Sequence, residues 1–96
     1  AKALSRVHQD YAQELSVDSL ASEANMSVSA FHRAFRQVTL ESPVQYVKKV
    51  RLVKARDLIN YEGKKASEAA LLVGYTSPSQ FSREFKRQFN QSPSAA

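Results

Sequence analysis

The sequence predicts an all-α chain: two similar helical subdomains joined by a long central helix. Three observations carry that expectation. Residues 27–43, SVSAFHRAFRQVTLESP, return fifty positions later as residues 77–93, SPSQFSREFKRQFNQSP, with Ser, Ser, Phe, Arg, Phe, Ser and Pro at the same offsets and Lys86 answering Arg36. Only two glycines, Gly63 and Gly74, punctuate the 96 residues, and no period-two alternation is sustained between turn signals. Finally, a serine able to cap a helix stands before several of the apolar-periodic stretches.

The elements follow in order. Leu4, Val7, His8 and Tyr11 keep helical spacing and predict a first helix over about residues 2–14. Ser16 caps a short second helix near 17–24, with Val17, Leu20, Ala21 and Ala24 on one face. Asn25 tolerates the left-handed turn that follows, and Ser27 caps a third helix over about 28–39. Ser42-Pro43-Val44-Gln45 is a sharp start signal: serine at the cap, proline at the first helical position, glutamine able to reach back. That fourth helix runs to about Asn60, where Asn60-Tyr61-Glu62-Gly63 breaks it, and a short fifth covers about 65–73, ending at Gly74. Ser77-Pro78-Ser79-Gln80 repeats the start signal for a sixth helix to about Phe89, and Ser92-Pro93 signals one more start at the end of the sequence. The expected organisation is a first subdomain over 1–41, a joining helix over 42–60 and a second subdomain over 61–96.

Composition narrows the function classes. Hydrophobic residues make up 43% and charged residues 24%, a balance typical of a folded, soluble chain. No apolar run approaches a membrane span and no signal-peptide pattern opens the chain. The lack of cysteine removes disulfides and thiolate metal sites and fits a cytoplasmic location. A start without Met and an abrupt Ser94-Ala95-Ala96 end suggest a fragment of a longer protein, its partner domain elsewhere. The net charge of +5 is uneven: residues 1–30 carry two bases against four acids, net −2, and residues 31–96 carry twelve bases against five acids, net +7. A basic region of that size suits a polyanionic partner through Coulomb attraction and counterion release.

Placed at about 100° per residue, the repeated helices sort their side chains. Phe31, Ala34, Phe35 and Val38 share one narrow arc, as do Phe81, Phe85 and, less tightly, Phe89. The opposite arc carries Ser29, His32, Arg33 and Arg36 in the first copy and Ser79, Ser82, Arg83, Lys86 and Arg87 in the second. The phenylalanines could stack bases, as in single-strand binders, but i, i+4 spacing on a capped helix is already explained by burial. A short helix, a tight turn, then a capped helix with an apolar back and a basic, small-polar front is the outline of a helix-turn-helix. Small residues at the second helix's start (Ser29, Ala30, Ser79) allow close approach to DNA. Hydroxyls there, including the caps Ser27 and Ser77, and the free N-terminal amides can meet phosphate.

On these residues the chain resembles the DNA-binding domain of AraC/XylS transcriptional activators. The resemblance rests on LSVDSLASEANMSVSAFHRAF, on SPVQYVKKVRLVKARDLI along the joining helix and on ASEAALLVGYTSPSQFSREFKRQFNQSP, the most specific stretch, so that it covers about residues 8–93. It implies two helix-turn-helix subdomains, homeodomain-like three-helical units, reading successive major grooves of double-stranded DNA, with RNA polymerase as a candidate second partner and no cofactor. Recognition positions carried over fall on Ser29, His32 and Arg33, and on Pro78, Ser79, Gln80 and Arg83. Arg36, Lys86 and Arg87, further along, are expected on phosphates with Ser27 and Ser77. Some positions depart from the family pattern. Asn25 and Asn90 stand at common glycines, as does Leu40, where a left-handed leucine would cost roughly 1–2 kcal/mol, so the third helix is expected to close differently. Ala66 and Ala69 replace isoleucines and should thin the second core, and Pro78, lacking a polar side chain, is expected to cap or pack.

On the joining helix Val44, Val47, Leu52, Ala55, Leu58 and Ile59 form the expected buried stripe with Arg51 in its midst, while Val50 and Val53 lie opposite. A buried guanidinium needs a partner, and the family too has an arginine here, so a structural tie is expected, with Glu68 as the candidate. Arg51 could alternatively snorkel out along its stem. Enzyme chemistry finds no support: His8 and His32 are the only histidines, no further nitrogen or sulfur ligand stands at metal spacing, and no phosphate loop or nucleophile elbow appears. Asp10, Glu14 and Asp18 read as a solvated acidic face. The competing class is a basic helical adaptor for an acidic protein, which explains the charge but not two helix-turn-helix outlines. Joined by a helix of about seventeen residues, roughly 25 Å long, the two readers are expected one B-DNA turn apart.

Overall fold

The structure, a computed structural model, describes residues 2–95. Six α-helices follow one another: α1 (Lys2–Asp10), α2 (Val17–Glu23), α3 (Val28–Thr39), α4 (Pro43–Glu62), α5 (Ala66–Leu72) and α6 (Pro78–Phe89), with a 3-10 turn at Pro93–Ala95. They form two compact units whose boundary falls between Lys48 and Lys49, inside α4. The long helix is thus shared between the units and is not a separate body. Among the described residues no helix is long and apolar enough to cross a membrane.

The helix starts form as their serines predict. Ser16 Oγ accepts the Ser19 N–H at 3.0 Å, Ser27 the Ala30 N–H at 3.2 Å, Ser42 the Gln45 N–H at 3.3 Å and Ser77 the Gln80 N–H at 3.2 Å. Each bond satisfies an amide that the helix leaves unpaired. The helix ends depart more from expectation. α1 stops at Asp10, four residues early, in a turn where the Gln13 N–H bonds the Asp10 carbonyl at 2.9 Å. α4 continues two residues beyond Asn60, because Gly63 takes φ +69° and lets the Lys64 N–H close back on the Leu58 carbonyl at 3.0 Å.

Leu40 corrects an expectation outright. It does adopt the left-handed conformation, φ +65°, and its N–H caps the Arg36 carbonyl at 2.8 Å. Asn90 does the same in the second copy, φ +58°, on the Lys86 carbonyl at 2.7 Å. The repeat therefore closes identically with or without a suitable residue. Beside Leu40, the Thr39 hydroxyl donates to the Phe35 carbonyl at 2.9 Å and accepts the Glu41 N–H at 3.2 Å, holding the turn.

The first unit buries Val7, Leu20, Ala21, Phe31, Phe35 and Pro43. Its rings run Phe31 to Phe35 to Tyr46 to His8, with centroids 5.5–5.7 Å apart, and the Tyr46 hydroxyl meets His8 Nε2 at 2.8 Å. Asp10, expected to be merely solvated, pairs with Arg6 at 2.6 Å, and Arg6 also pairs with Glu23 on α2. Val38, expected in the apolar arc, is 70% exposed. It lies beyond the buried pair and lines an open apolar groove with Leu4, Met26 and Ala34.

The second unit buries Val50, Leu52, Ala55, Ala69, Ala70, Val73, Tyr75, Phe81 and Phe85. Its aromatic rings Tyr75, Phe81, Phe85 and Phe89 stand in series at 5.2, 5.6 and 4.7 Å. The Arg56 guanidinium covers Phe89 at 4.4 Å. Val50, placed on the exposed side of α4 by its wheel, is buried, whereas Val44 is half exposed. The reason is local: the two ends of α4 belong to different units, so no single stripe runs its length. The Tyr75 hydroxyl donates to Glu84 Oε1 at 2.6 Å. Burial, that hydrogen bond and the carboxylate's charge push the hydroxyl well above the ordinary tyrosine range, against an opposing pull from Arg51, so it stays a neutral donor.

Two stability outcomes are expected. Leu40→Gly should stabilise the chain by about 1 kcal/mol, read as a raised denaturant midpoint, because Leu40 is strained and 83% exposed; a lowered midpoint would contradict the strain. Tyr75→Phe keeps the buried ring but removes the donor to Glu84, and should cost about 1–3 kcal/mol; an unchanged midpoint would show the bond to be inconsequential.

Candidate nucleic-acid interface

Each unit holds the same turn between its last two helices of the repeat. After α2, the Asn25 N–H bonds Ser22 O at 3.0 Å and the Met26 N–H bonds Ala21 O at 2.9 Å. After α5, the Gly74 N–H bonds Leu71 O at 3.1 Å and the Tyr75 N–H bonds Ala70 O at 2.9 Å. Asn25 and Gly74 both take positive φ, +57° and +101°. This double closure is a Schellman turn, and it makes Asn25 equivalent to Gly74 and Met26 to Tyr75. Thr76 is one extra residue before the second cap. Short helix, left-handed turn and capped second helix are therefore present twice.

The buried phenylalanines set which way each second helix faces. With Phe31 and Phe35 turned inward, Ser29, Arg33 and Arg36 are exposed and His32 is half-buried. With Phe81 and Phe85 turned inward, Ser79, Ser82, Arg83, Lys86 and Arg87 are exposed and Gln80 is half-buried. Among the described residues none of Arg33, Arg36, Arg83, Lys86 and Arg87 is held in a salt bridge. Five cations thus stand on two solvent faces with their charge uncommitted. The capping oxygens of Ser27 and Ser77 are occupied as acceptors, which leaves each hydroxyl proton to donate outward. Pro78 occupies the first helical position of α6, exposed and with no amide to offer.

Gln80 is the member whose surroundings sequence reasoning missed. Its Nε2 donates to Glu84 Oε2 at 2.9 Å, while the other oxygen of that carboxylate takes the Tyr75 hydroxyl. The available signal was the i, i+4 spacing of a glutamine and a carboxylate, which places both on one helical strip. The first unit has Ala30 and Ala34 at the matching positions.

Arg51 and Glu68 do not have the burial expected of them. No charged side chain is buried among the described residues: Arg51 is half-buried and Glu68 exposed. Glu68 turns to its own helix, its Oε1 accepting the Lys65 N–H at 3.3 Å at the start of α5. Arg51 instead lies near enough for its charge to act on Tyr75. Among the described residues no group of three or more His, Asp or Glu side chains is arranged to hold a metal ion.

Comparison with known proteins agrees with this architecture. A helix-turn-helix domain family matches residues 20–96. The HTH-type transcriptional activator RhaS of Escherichia coli is 31% identical over 90 residues, covering 94% of this chain and 32% of RhaS. The chain thus spans about a third of the length of the curated relatives it matches. The DNA-binding domain of the global transcriptional factor AdpA, solved in complex with a target DNA, superposes with a TM-score of 0.91 at 29% identity, covering 98% of this chain and 85% of that one. A transcriptional regulator with an AraC-type DNA-binding domain from Chromobacterium violaceum superposes with a TM-score of 0.87 at 28% identity, over 95% of this chain and 81% of that one. With the repeated turn, the capped basic helices and these likenesses together, the chain belongs to the AraC-type helix-turn-helix family.

Proposed function

We propose that this chain binds double-stranded DNA sequence-specifically as part of a bacterial transcription regulator, with α3 and α6 as its two readers. The observation that carries the reading is the uncommitted cations, Arg33 and Arg36 on one helix and Arg83, Lys86 and Arg87 on the other, opposite buried phenylalanine pairs. The AdpA likeness, solved on its target DNA, supports the same reading. In this mechanism Arg33 and Arg83 reach base edges, with Ser29, His32, Ser79 and Gln80 beside them. Ser27, Arg36, Ser77, Lys86 and Arg87 hold phosphates and set register. The two readers enter successive major grooves, so that one chain occupies a non-palindromic site. Contact with RNA polymerase belongs to the same reading, through surfaces away from the two readers. A basic adaptor for an acidic protein is less favoured, since it gives no reason for two matching turns and two matching caps.

Binding to a duplex selected from a random pool, at stated salt, tests this. Arg83→Ala should relax preference at particular base pairs by about 1–3 kcal/mol. Lys86→Ala should weaken specific and non-specific duplexes alike and lower the salt slope by about 1. Equal weakening of all duplexes by both variants would contradict the division of roles.

A further inference from the structure

Resting on that DNA-binding reading, we propose that Glu84 is a specificity-positioning residue: it pins the Gln80 side-chain amide so that α6 presents a carbonyl oxygen and selects a base bearing an exocyclic amine. The three-residue network Tyr75–Glu84–Gln80 carries the inference. A carboxylate without its proton can only accept hydrogen bonds. Facing Glu84 Oε2 at 2.9 Å, Gln80 must therefore offer its nitrogen, and its own oxygen points away. Among the described residues nothing else engages the Gln80 side chain.

Glu84 in turn is anchored. Its other oxygen takes the hydroxyl of Tyr75 at 2.6 Å, and that ring is packed in the core against Phe81 at 5.2 Å. Burial keeps the hydroxyl protonated, so the anchor does not let go near neutral pH. The amide's orientation thus traces back to the core of its own unit.

The chemical consequence follows from the major-groove code. An unrestrained glutamine can turn over and offer either its NH2 group or its oxygen. Pinned, Gln80 commits one N–H to Glu84 and turns its carbonyl oxygen outward, an acceptor that adenine N6 and cytosine N4 satisfy and the acceptor-only edges of guanine and thymine do not. The first unit, with Met26, Ala30 and Ala34 at the three positions, lacks the device. Two repeats of one fold thereby become readers of different kinds.

The test uses the whole chain. Preferences are read from random-pool selection, then from competition between duplexes differing at one base pair, for the unaltered chain, Gln80→Ala and Glu84→Gln. The unaltered chain should prefer adenine or cytosine at one position, and Gln80→Ala should lose that preference. Glu84→Gln, whose amide can donate or accept, lets Gln80 turn over and should reduce the same preference about tenfold, leaving intact the preferences that depend on Arg83. Retention of the full preference in Glu84→Gln overturns the proposal, as does a loss spread evenly over all positions with a lowered melting temperature. A chain that discriminates through Arg83 but never through Gln80 overturns the proposal and leaves the function standing; a chain with no sequence preference overturns both. NMR of the unaltered chain gives a reading that needs no variant. One Gln80 side-chain amide proton should be shifted downfield and slow to exchange, and shifts and exchange rates typical of an exposed glutamine would overturn the pinning.

Discussion

Burial of two phenylalanines one helical turn apart governs everything the second helix of each unit can do. Phe31 and Phe35, and Phe81 and Phe85, each close on the other at 5.6 Å and leave almost no surface exposed. Each buried ring contributes roughly 1.5–3 kcal/mol, and a pair at i, i+4 fixes not only that the helix docks but its rotation about its own axis. Once that rotation is set, residues two positions either side must face water. Arg33 and Arg83, two residues beyond the first ring of each pair, are therefore exposed by geometry and not by their charge alone.

The two units use this shared constraint differently. In the first, the ring series continues outward through Tyr46 to a solvent-facing His8, and Arg6 ties α1 to α2 through Glu23. In the second, the ring series ends at Phe89 under the Arg56 guanidinium, and a polar branch from Tyr75 runs through Glu84 to the solvent face. A duplicated backbone turn thus supports one helix whose first turn is lined by alanine and another whose first turn is held by a buried hydroxyl. The substitutions that create this polar branch lie at Met26, Ala30 and Ala34 against Tyr75, Gln80 and Glu84, while the phenylalanine pair is the same in both copies.

Much of this was legible in the residues because the signals are local. Capping serines, a proline at the first helical position and i, i+4 aromatics each act within one turn of the chain, and the helix starts and the inward phenylalanines follow from them. What stayed hidden depends on neighbours distant in sequence or on the path of the chain between elements. Leu40 looked unfit for a left-handed turn, yet the paired Thr39 bonds and the following Ser42-Pro43 start hold it there at a local cost. The wheel of α4 misplaced Val44 and Val50 because a wheel assumes one buried side, and α4 serves two units. Arg51 was assigned to Glu68 on burial that neither has, while the carboxylate that does run inward, Glu84, was masked by its place on a basic helix.

The central claim is that a single chain carries two readers for one duplex, and helical phase tests it most directly. Five extra base pairs between the two half-contacts of a selected site rotate one groove away from the other by about half a turn. The account predicts that affinity of the 96-residue chain falls to that of a single half-contact and returns when ten are inserted only if the linking geometry can stretch. Affinity unchanged by the five-base-pair insertion, or binding only as a symmetric dimer on a palindrome, would contradict it.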